Sequence, residues 1–143
     1  MIHLVEVNQE NWRLGLKVAE SQRKYVSDSN KLLARAYVYR NARSCPLVIY
    51  DDETPVGMAL YYDWEPLQAY DFSQLFIDER YQGKGYGKIA LQKILDMMRA
   101  DGRYGKVLTC YIEGNDAAKG LYESFGFSVI DRDEDEIIME MML

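Results

Sequence analysis

The stretch DERYQGKGYGKIAL, residues 78–91, places glycines at positions 83, 85 and 87 and brackets them with Arg80, Lys84 and Lys88. The run before it, DFSQLFI, is rich in strand-forming residues. After it, Leu91, Ile94, Leu95 and Met98 recur at the spacing of an amphipathic helix that begins near Gly87 and stops by Gly102. Strand, glycine loop and helix in that order turn successive backbone N–H groups into one concavity and add the positive end of a helix macrodipole, a physical arrangement that binds phosphate. Glycines let the anion approach the backbone closely.

Spacing separates the phosphate-binding possibilities. A nucleoside-triphosphate loop reads G-x-x-x-x-G-K-[ST], but Gly87-Lys88 is followed by Ile89, and the position five before Gly87 is Gln82. A dinucleotide fingerprint reads G-x-G-x-x-G, whereas this chain has G-x-G-x-G and lacks an acidic residue at the expected offset on a following strand. Both fail.

The rest of the sequence sets bounds. A chain of 143 residues, 48% hydrophobic, is long enough for one core and short for two, so residues 1–143 are expected to form a single domain. Seventeen Lys+Arg against 23 Asp+Glu give a net charge of −6, which disfavours nucleic acid and favours a cationic small molecule as partner. Cys45 and Cys110 are isolated, with no disulfide framework and no metal-ligand spacing. MIHLVEVNQENW has neither signal-peptide nor transit-peptide character, and no apolar run approaches the ~18 residues of a membrane span. These features lead to the expectation of a cytoplasmic protein with no metal and no membrane partner.

Along the chain, HLVEVN reads as a strand, and Asn8 offers a cap for a helix carrying Trp12, Leu16, Ala19 and Arg23 on one face. A second helix is expected from around Asn30, with Leu32, Leu33, Ala36 and Tyr37 on its apolar side, ending before Pro46. PLVIY and VGMALYY form a hairpin across DDETP. VLTCYI is a further strand. Asn115 caps a helix with Ala118, Leu121, Tyr122 and Phe125 at helical spacing, and Gly126 ends it. FSVI and EIIMEMM close the chain as a hairpin around DRDEDE, a solvated tip.

What residues 82–87 do match is Q-x-x-G-x-G, through Gln82, Gly85 and Gly87. This resembles the acyl-CoA pyrophosphate loop of the GNAT N-acetyltransferase superfamily. The resemblance continues in order through VLTCYIEGN and NDAAKGLYESFGF, where Asn115, Leu121, Tyr122, Gly126 and Phe127 match that superfamily's helix beside the cofactor. It implies an α/β (α+β) fold: a central mixed, twisted sheet of about six or seven strands flanked by about four helices, with parallel strands that splay at the cofactor site. It also implies acetyl-CoA as cosubstrate. The backbone from about Gly83 to Lys88, including Lys84, Gly85, Tyr86 and Gly87, would wrap the pyrophosphate; Phe76, Ile77 and Asp78 would pair with pantetheine; Asn115, Ala118 and Tyr122 would lie beside it.

The implied chemistry is direct attack by an amine on the thioester in a ternary complex. A backbone N–H on the strand before the loop is a natural donor to the oxyanion, and Tyr122 is the expected proton donor to the departing thiolate. The base is more open. In eukaryotic diamine acetyltransferases a glutamate stands nine residues ahead of the loop's first motif residue; counting back from Gln82 reaches Ser73, which is no carboxylate. Asp71, Glu113, or a water held by Ser73 and a tyrosine remain as candidates. FIDERYQGKGYGK, VGMALYY and SQRKYVSDS are most similar to bacterial spermine/spermidine acetyltransferases, which implies a polyamine acceptor held by carboxylates among Asp28, Asp63, Glu65, Asp71 and Glu113, with some of the 12 tyrosines as cation–π walls. His3 has no expected functional role. A peptide or protein N-acetyltransferase, or a non-catalytic acyl-CoA sensor, are the alternatives, and a homodimer is common in such families.

Overall fold

The computed structural model describes residues 1–143 and contains seven strands and three α-helices. The strands are β1 (Ile2–Glu6), β2 (Cys45–Asp51), β3 (Thr54–Trp64), β4 (Ala69–Ile77), β5 (Lys106–Ile112), β6 (Ser128–Asp133) and β7 (Glu136–Met142). They form one sheet in the order β1-β2-β3-β4-β5-β7-β6. All neighbours are antiparallel except β4 and β5. The expected mixed sheet is present.

The helices are α1 (Ser29–Val38), α2 (Tyr86–Asp101) and α3 (Asp116–Phe125). Parallel strands need a crossover, and α2 supplies it between β4 and β5. Its buried stripe, Ala90, Leu91, Ile94, Leu95 and Met98, packs with Leu47, Ile49, Tyr70, Phe72 and Val107 on one face of the sheet, where α3 adds Tyr122. On the other face Leu32 and Ala36 of α1 cover Val48, Met58, Leu60, Tyr62 and Phe76. Tyr37, expected on the apolar side of α1, is instead 66% exposed, with the Arg40 guanidinium over its ring at 4.1 Å.

The helix expected after Asn8 does not form, which is why three helices stand where about four were anticipated. The Asn8 side chain does cap a turn, accepting from the N–H groups of Glu10 and Asn11. Gly15 then takes a left-handed conformation (φ 71°), and the chain runs extended so that Leu16 and Val18, two apart, are buried beneath α1 while Trp12 is 48% exposed. Backbone bonds that a helix would have made internally go to the loop after β4: Lys17 N donates to Asp78 Oδ2 at 2.8 Å and Glu79 N to Lys17 O at 3.1 Å. Only a single 3-10 turn, Glu20–Gln22, follows.

Two irregularities in β4 position the site. First, Leu60 pairs with Gln74 but Tyr61 pairs with Phe72, so Ser73 is an extra residue, a β-bulge. Partners across an antiparallel pair share a face; the bulge therefore puts Phe72 on the α2 face and Gln74 on the α1 face, although residues two apart in a regular strand would share one. Second, the β4–β5 ladder is only three pairs long, Tyr70 to Val107 through Phe72 to Thr109. Beyond it the parallel strands separate, as expected from the sequence. No helix is long and apolar enough to cross a membrane.

Candidate active site

The gap where β4 and β5 part opens into a cleft of about 1550 Å³ that reaches both faces of the sheet. At one end lies the glycine loop. Gly83 (φ 79°) and Gly85 (φ 80°) hold left-handed conformations that a side chain resists. Gly87 sits in ordinary helical backbone, so its missing side chain serves clearance alone. Gly85 is the N-cap of α2 and offers no side-chain acceptor, and the first turn holds no acidic residue. In contrast, α1 is capped by Asp28, whose Oδ1 accepts from Lys31 N, and α3 by Asn115, whose Oδ1 accepts from Ala118 N. The amides at the start of α2 are thus left for an anion, and Lys88 in that first turn raises the positive potential further. These residues fit a pyrophosphate.

Of the residues expected to bind the cofactor, Phe76, Ile77, Gln82, Gly83, Gly85, Tyr86, Gly87, Asn115, Ala118 and Tyr122 line the cleft. Lys84 and Lys88 are exposed and lie outside its lining. Asp78 is a correction. It is 1% exposed, its N–H donates to Val56 O, and its carboxylate accepts from Lys17 N, Arg80 N and Arg80 Nε. Burial pushes its pKa up, but the hydrogen bonds from Arg80 and Lys17 outweigh that and hold it low. Asp78 clamps the loop to the extended segment 15–18 and has no group free for pantetheine.

At the other end of the cleft, Tyr122 is 7% exposed, edge-on to Phe72 at 6.3 Å and tilted against Phe127 at 5.5 Å. Burial raises its hydroxyl pKa to about 12, so it keeps its proton at neutral pH. Asp71 stands one rung before Phe72, on the opposite face of the sheet and just outside the cleft lining; its carboxyl is raised to about 6 by desolvation, with Arg35 and the Tyr62 hydroxyl opposing the shift and Glu136 adding to it. Ser73, at the bulge, receives a hydrogen bond from Arg35 Nη1 at 3.1 Å and another from the Tyr62 hydroxyl at 3.3 Å. Gln74 is 7% exposed and lines the cleft, yet its Oε1 has no hydrogen-bond partner. Cys110 of β5 borders the gap, its thiol pushed up to about 11 by desolvation and then by Glu136 and Asp71. Arg35, Gln74, Cys110 and Glu136 escape sequence reasoning because a bulge and a splay, neither with a residue signature, bring them together.

The remaining carboxylates scatter. Glu113 is exposed, outside the cleft lining, and its charge is taken up by Arg132 of β6. Asp63 is buried at the far end of β3, held by Arg43 Nε at 2.7 Å and Nη2 at 2.9 Å, while Arg43 also grips Asp101. Together with Glu65 it borders a separate hollow of about 240 Å³. Asp28 lines the main cleft as the cap of α1. His3 is stacked on Tyr50.

This geometry has relatives. A spermine/spermidine N(1)-acetyltransferase of Bacillus subtilis (strain 168) is 30% identical over 124 residues, covering 80% of this chain and 78% of that protein. An L-methionine sulfoximine/L-methionine sulfone acetyltransferase of Pseudomonas aeruginosa is 29% identical over 96 residues, 63% of this chain and 55% of that one. Among solved structures, the spermidine N-acetyltransferase of Vibrio cholerae in complex with CoA and spermine superimposes with a TM-score of 0.78 at 19% identity, over 99% of this chain and 95% of that one. Residues 4–127, from β1 to the end of α3 and the glycine-loop cleft between, match the Acetyltransferase (GNAT) family; the chain belongs to that family and is an acetyltransferase.

Proposed function

We propose that the protein transfers the acetyl group of acetyl-CoA to a primary amine of a small polycation of the spermine/spermidine class, by direct attack in a ternary complex. The observation that carries this reading is that Tyr122 lines the cleft against Phe72, the last residue of β4 paired with β5, while Asp71, one residue earlier, stands on the opposite face. Acetyl-CoA enters from the α2 face, its pyrophosphate on the amides of residues 83–88 and its pantetheine along the unpaired edge of β4. The amine approaches from the α1 face.

An aliphatic ammonium with a pKa near ~10 must lose a proton before it attacks. A carboxylate with its pKa raised to about 6 is ionised at neutral pH, yet more basic than an ordinary one. Asp71 takes that proton, directly or through a water held at Ser73. The N–C bond forms, the oxyanion collapses, the C–S bond breaks, and Tyr122 donates its proton to the departing sulfur. Glu136 and Asp28 supply negative charge along the acceptor route.

Arg35 favours a second reading. It is a cation at the acceptor end of the cleft and would suit an amino-acid acceptor whose carboxylate it could pair; one relative is named for amino-acid derivatives. Acetylation of a panel of spermidine, spermine, a lysine peptide and methionine sulfoximine, followed as thiol release, decides. Preference for spermidine or spermine supports the first reading, methionine sulfoximine the second, and the peptide sinks both. Acetyl-CoA binding without turnover of any amine would mark a sensor.

A further inference from the structure

We propose that the Gln74 carboxamide oxygen is the acceptor-amine binding group, receiving an N–H of the nitrogen that attacks the thioester. The inference deepens the amine-acetyltransferase reading and rests on it. A buried acceptor atom with no partner costs free energy unless something satisfies it, and Gln74 Oε1 is such an atom on a residue that lines the cleft. The nearby side chains do not offer a match. Asp71 and Glu136 are acceptors, and the hydrogen bonds that Arg35 and the Tyr62 hydroxyl donate go to Ser73 Oγ rather than to Gln74. The unpaired acceptor calls for a donor from the ligand, and an amine N–H is such a donor.

The bulge at Ser73 makes the arrangement possible. Asp71 and Gln74 are three apart and would project to opposite faces of a regular strand. The extra residue between them brings both to the face shared with Tyr62 and Leu60, their partners on β3. The amide differs usefully from a carboxylate at that spot. A carboxylate would strongly favour the ammonium, which cannot attack, whereas a neutral carbonyl oxygen favours it less and also accepts from the free amine. Gln74 holds the nitrogen while Asp71 removes its proton. Rotation about the soft terminal torsion of the side chain turns Oε1 toward the cleft without moving the strand, the amide nitrogen taking the position that the oxygen leaves.

The test uses Gln74→Leu and Gln74→Met, either of which suffices if folded, assayed with the best amine of the panel. The expected result is a rise of at least about tenfold in the KM for the amine, because a site missing its hydrogen-bonding group discriminates strongly, with the KM for acetyl-CoA within twofold of wild type. The melting temperature should hold or rise, since an unsatisfied buried acceptor has been removed. A competitive acceptor analogue whose reacting end is a quaternary trimethylammonium, which has no N–H, should inhibit wild type and variant alike. An amine KM within twofold of wild type in a folded variant overturns the inference and leaves the acetyltransferase reading intact. A wild-type protein that acetylates no amine overturns both.

Discussion

At the scale of single residues, Asp71 and Tyr122 make opposite demands on pH, and the demands are separable. Asp71 has a folded pKa of about 6 against an ordinary 3.8, so the folded chain binds more protons than the unfolded chain between those values, and stability falls as pH rises through that window. Asp71→Asn removes this loss; at pH 7 the variant should be at least as stable as wild type, by on the order of 1–2 kcal/mol in thermal or denaturant unfolding. Activity should move the other way: wild-type kcat/KM rises with pH through about 6 as Asp71 ionises, and Asp71→Asn loses that rise together with about 10²–10⁴ of rate. Tyr122→Phe keeps the ring against Phe72 and Phe127 and deletes only the proton donor. Its kcat should fall about 10²-fold or more, while its unfolding midpoint stays close to wild type. A kcat within twofold of wild type would leave Tyr122 a core residue. Sequence made Tyr122 visible because its motif position is local to α3. It also offered Asp71, but beside Glu113 and a water held by Ser73 and a tyrosine, because nothing in one dimension tells that Arg132, on a strand that arrives later, pairs with Glu113 while Asp71 is desolvated.

At the scale of elements, legibility followed how locally each element is determined. The helix α2 carries its whole apolar stripe and both terminal glycines, and it forms where expected, from Tyr86 to Asp101. The segment after Asn8 carries an equally plausible stripe, yet its outcome is decided by a partner far along the chain, the Asp78 carboxylate and the Glu79 amide, which recruit its backbone into an extended path. Periodicity cannot see such a competition. Gly57 is a quieter example: a Cβ there would stand 2.3 Å from Phe76 O, so close pairing of β3 with the end of β4 requires glycine, and only the assembled sheet shows it. The glycine loop supplies the sharpest test at this scale. A side chain at Gly85 would point into open space, with no protein atom within 4 Å of its Cβ. Gly85→Asp should therefore fold, at the modest cost of a left-handed non-glycine residue. It would set a carboxylate against the pyrophosphate. One like charge about 4 Å away is worth about 4 kcal/mol at the screening typical of a protein surface, so the acetyl-CoA Kd by calorimetry should rise at least about tenfold. An unchanged Kd would remove the loop from the binding site.

At the scale of the whole molecule, charge is distributed against its own sum. The net charge is −6, which suggested an acidic funnel for a polycation, but the carboxylates offered for it lie apart: Asp63 is locked by Arg43, Glu65 borders the far hollow, and Glu113 is paired with Arg132. The cleft itself carries Arg13, Lys17, Arg23, Lys24, Lys31 and Arg35 against Asp28 and Glu136. These cations all belong to residues 13–35, on and before α1, so attraction of an amine is left to the outer field of the molecule and to the few carboxylates at the acceptor end. The two substrates should therefore respond differently to salt. Raising ionic strength from 0.1 M to 1 M shortens the Debye length from about 10 Å to about 3 Å, which weakens attraction between exposed charges at a distance. The KM for acetyl-CoA should rise steeply over that range, because the exposed Lys84 and Lys88 flank the loop that takes several phosphate charges. The KM for spermidine should rise as well, since a net negative protein draws in a multiply charged cation, but by a smaller factor, because the cations of the cleft already offset part of that pull. Neutralising the hairpin tip at Asp133, Glu134 and Asp135, which is exposed and outside the cleft lining although Glu136 beside it is part of that lining, should change the spermidine KM only slightly. Steady-state kinetics in each substrate at the two salt concentrations separate the contributions: a spermidine KM indifferent to salt would remove long-range capture from the acceptor side, and an acetyl-CoA KM indifferent to salt would mean that backbone amides alone, without the surrounding lysines and arginines, hold the phosphates.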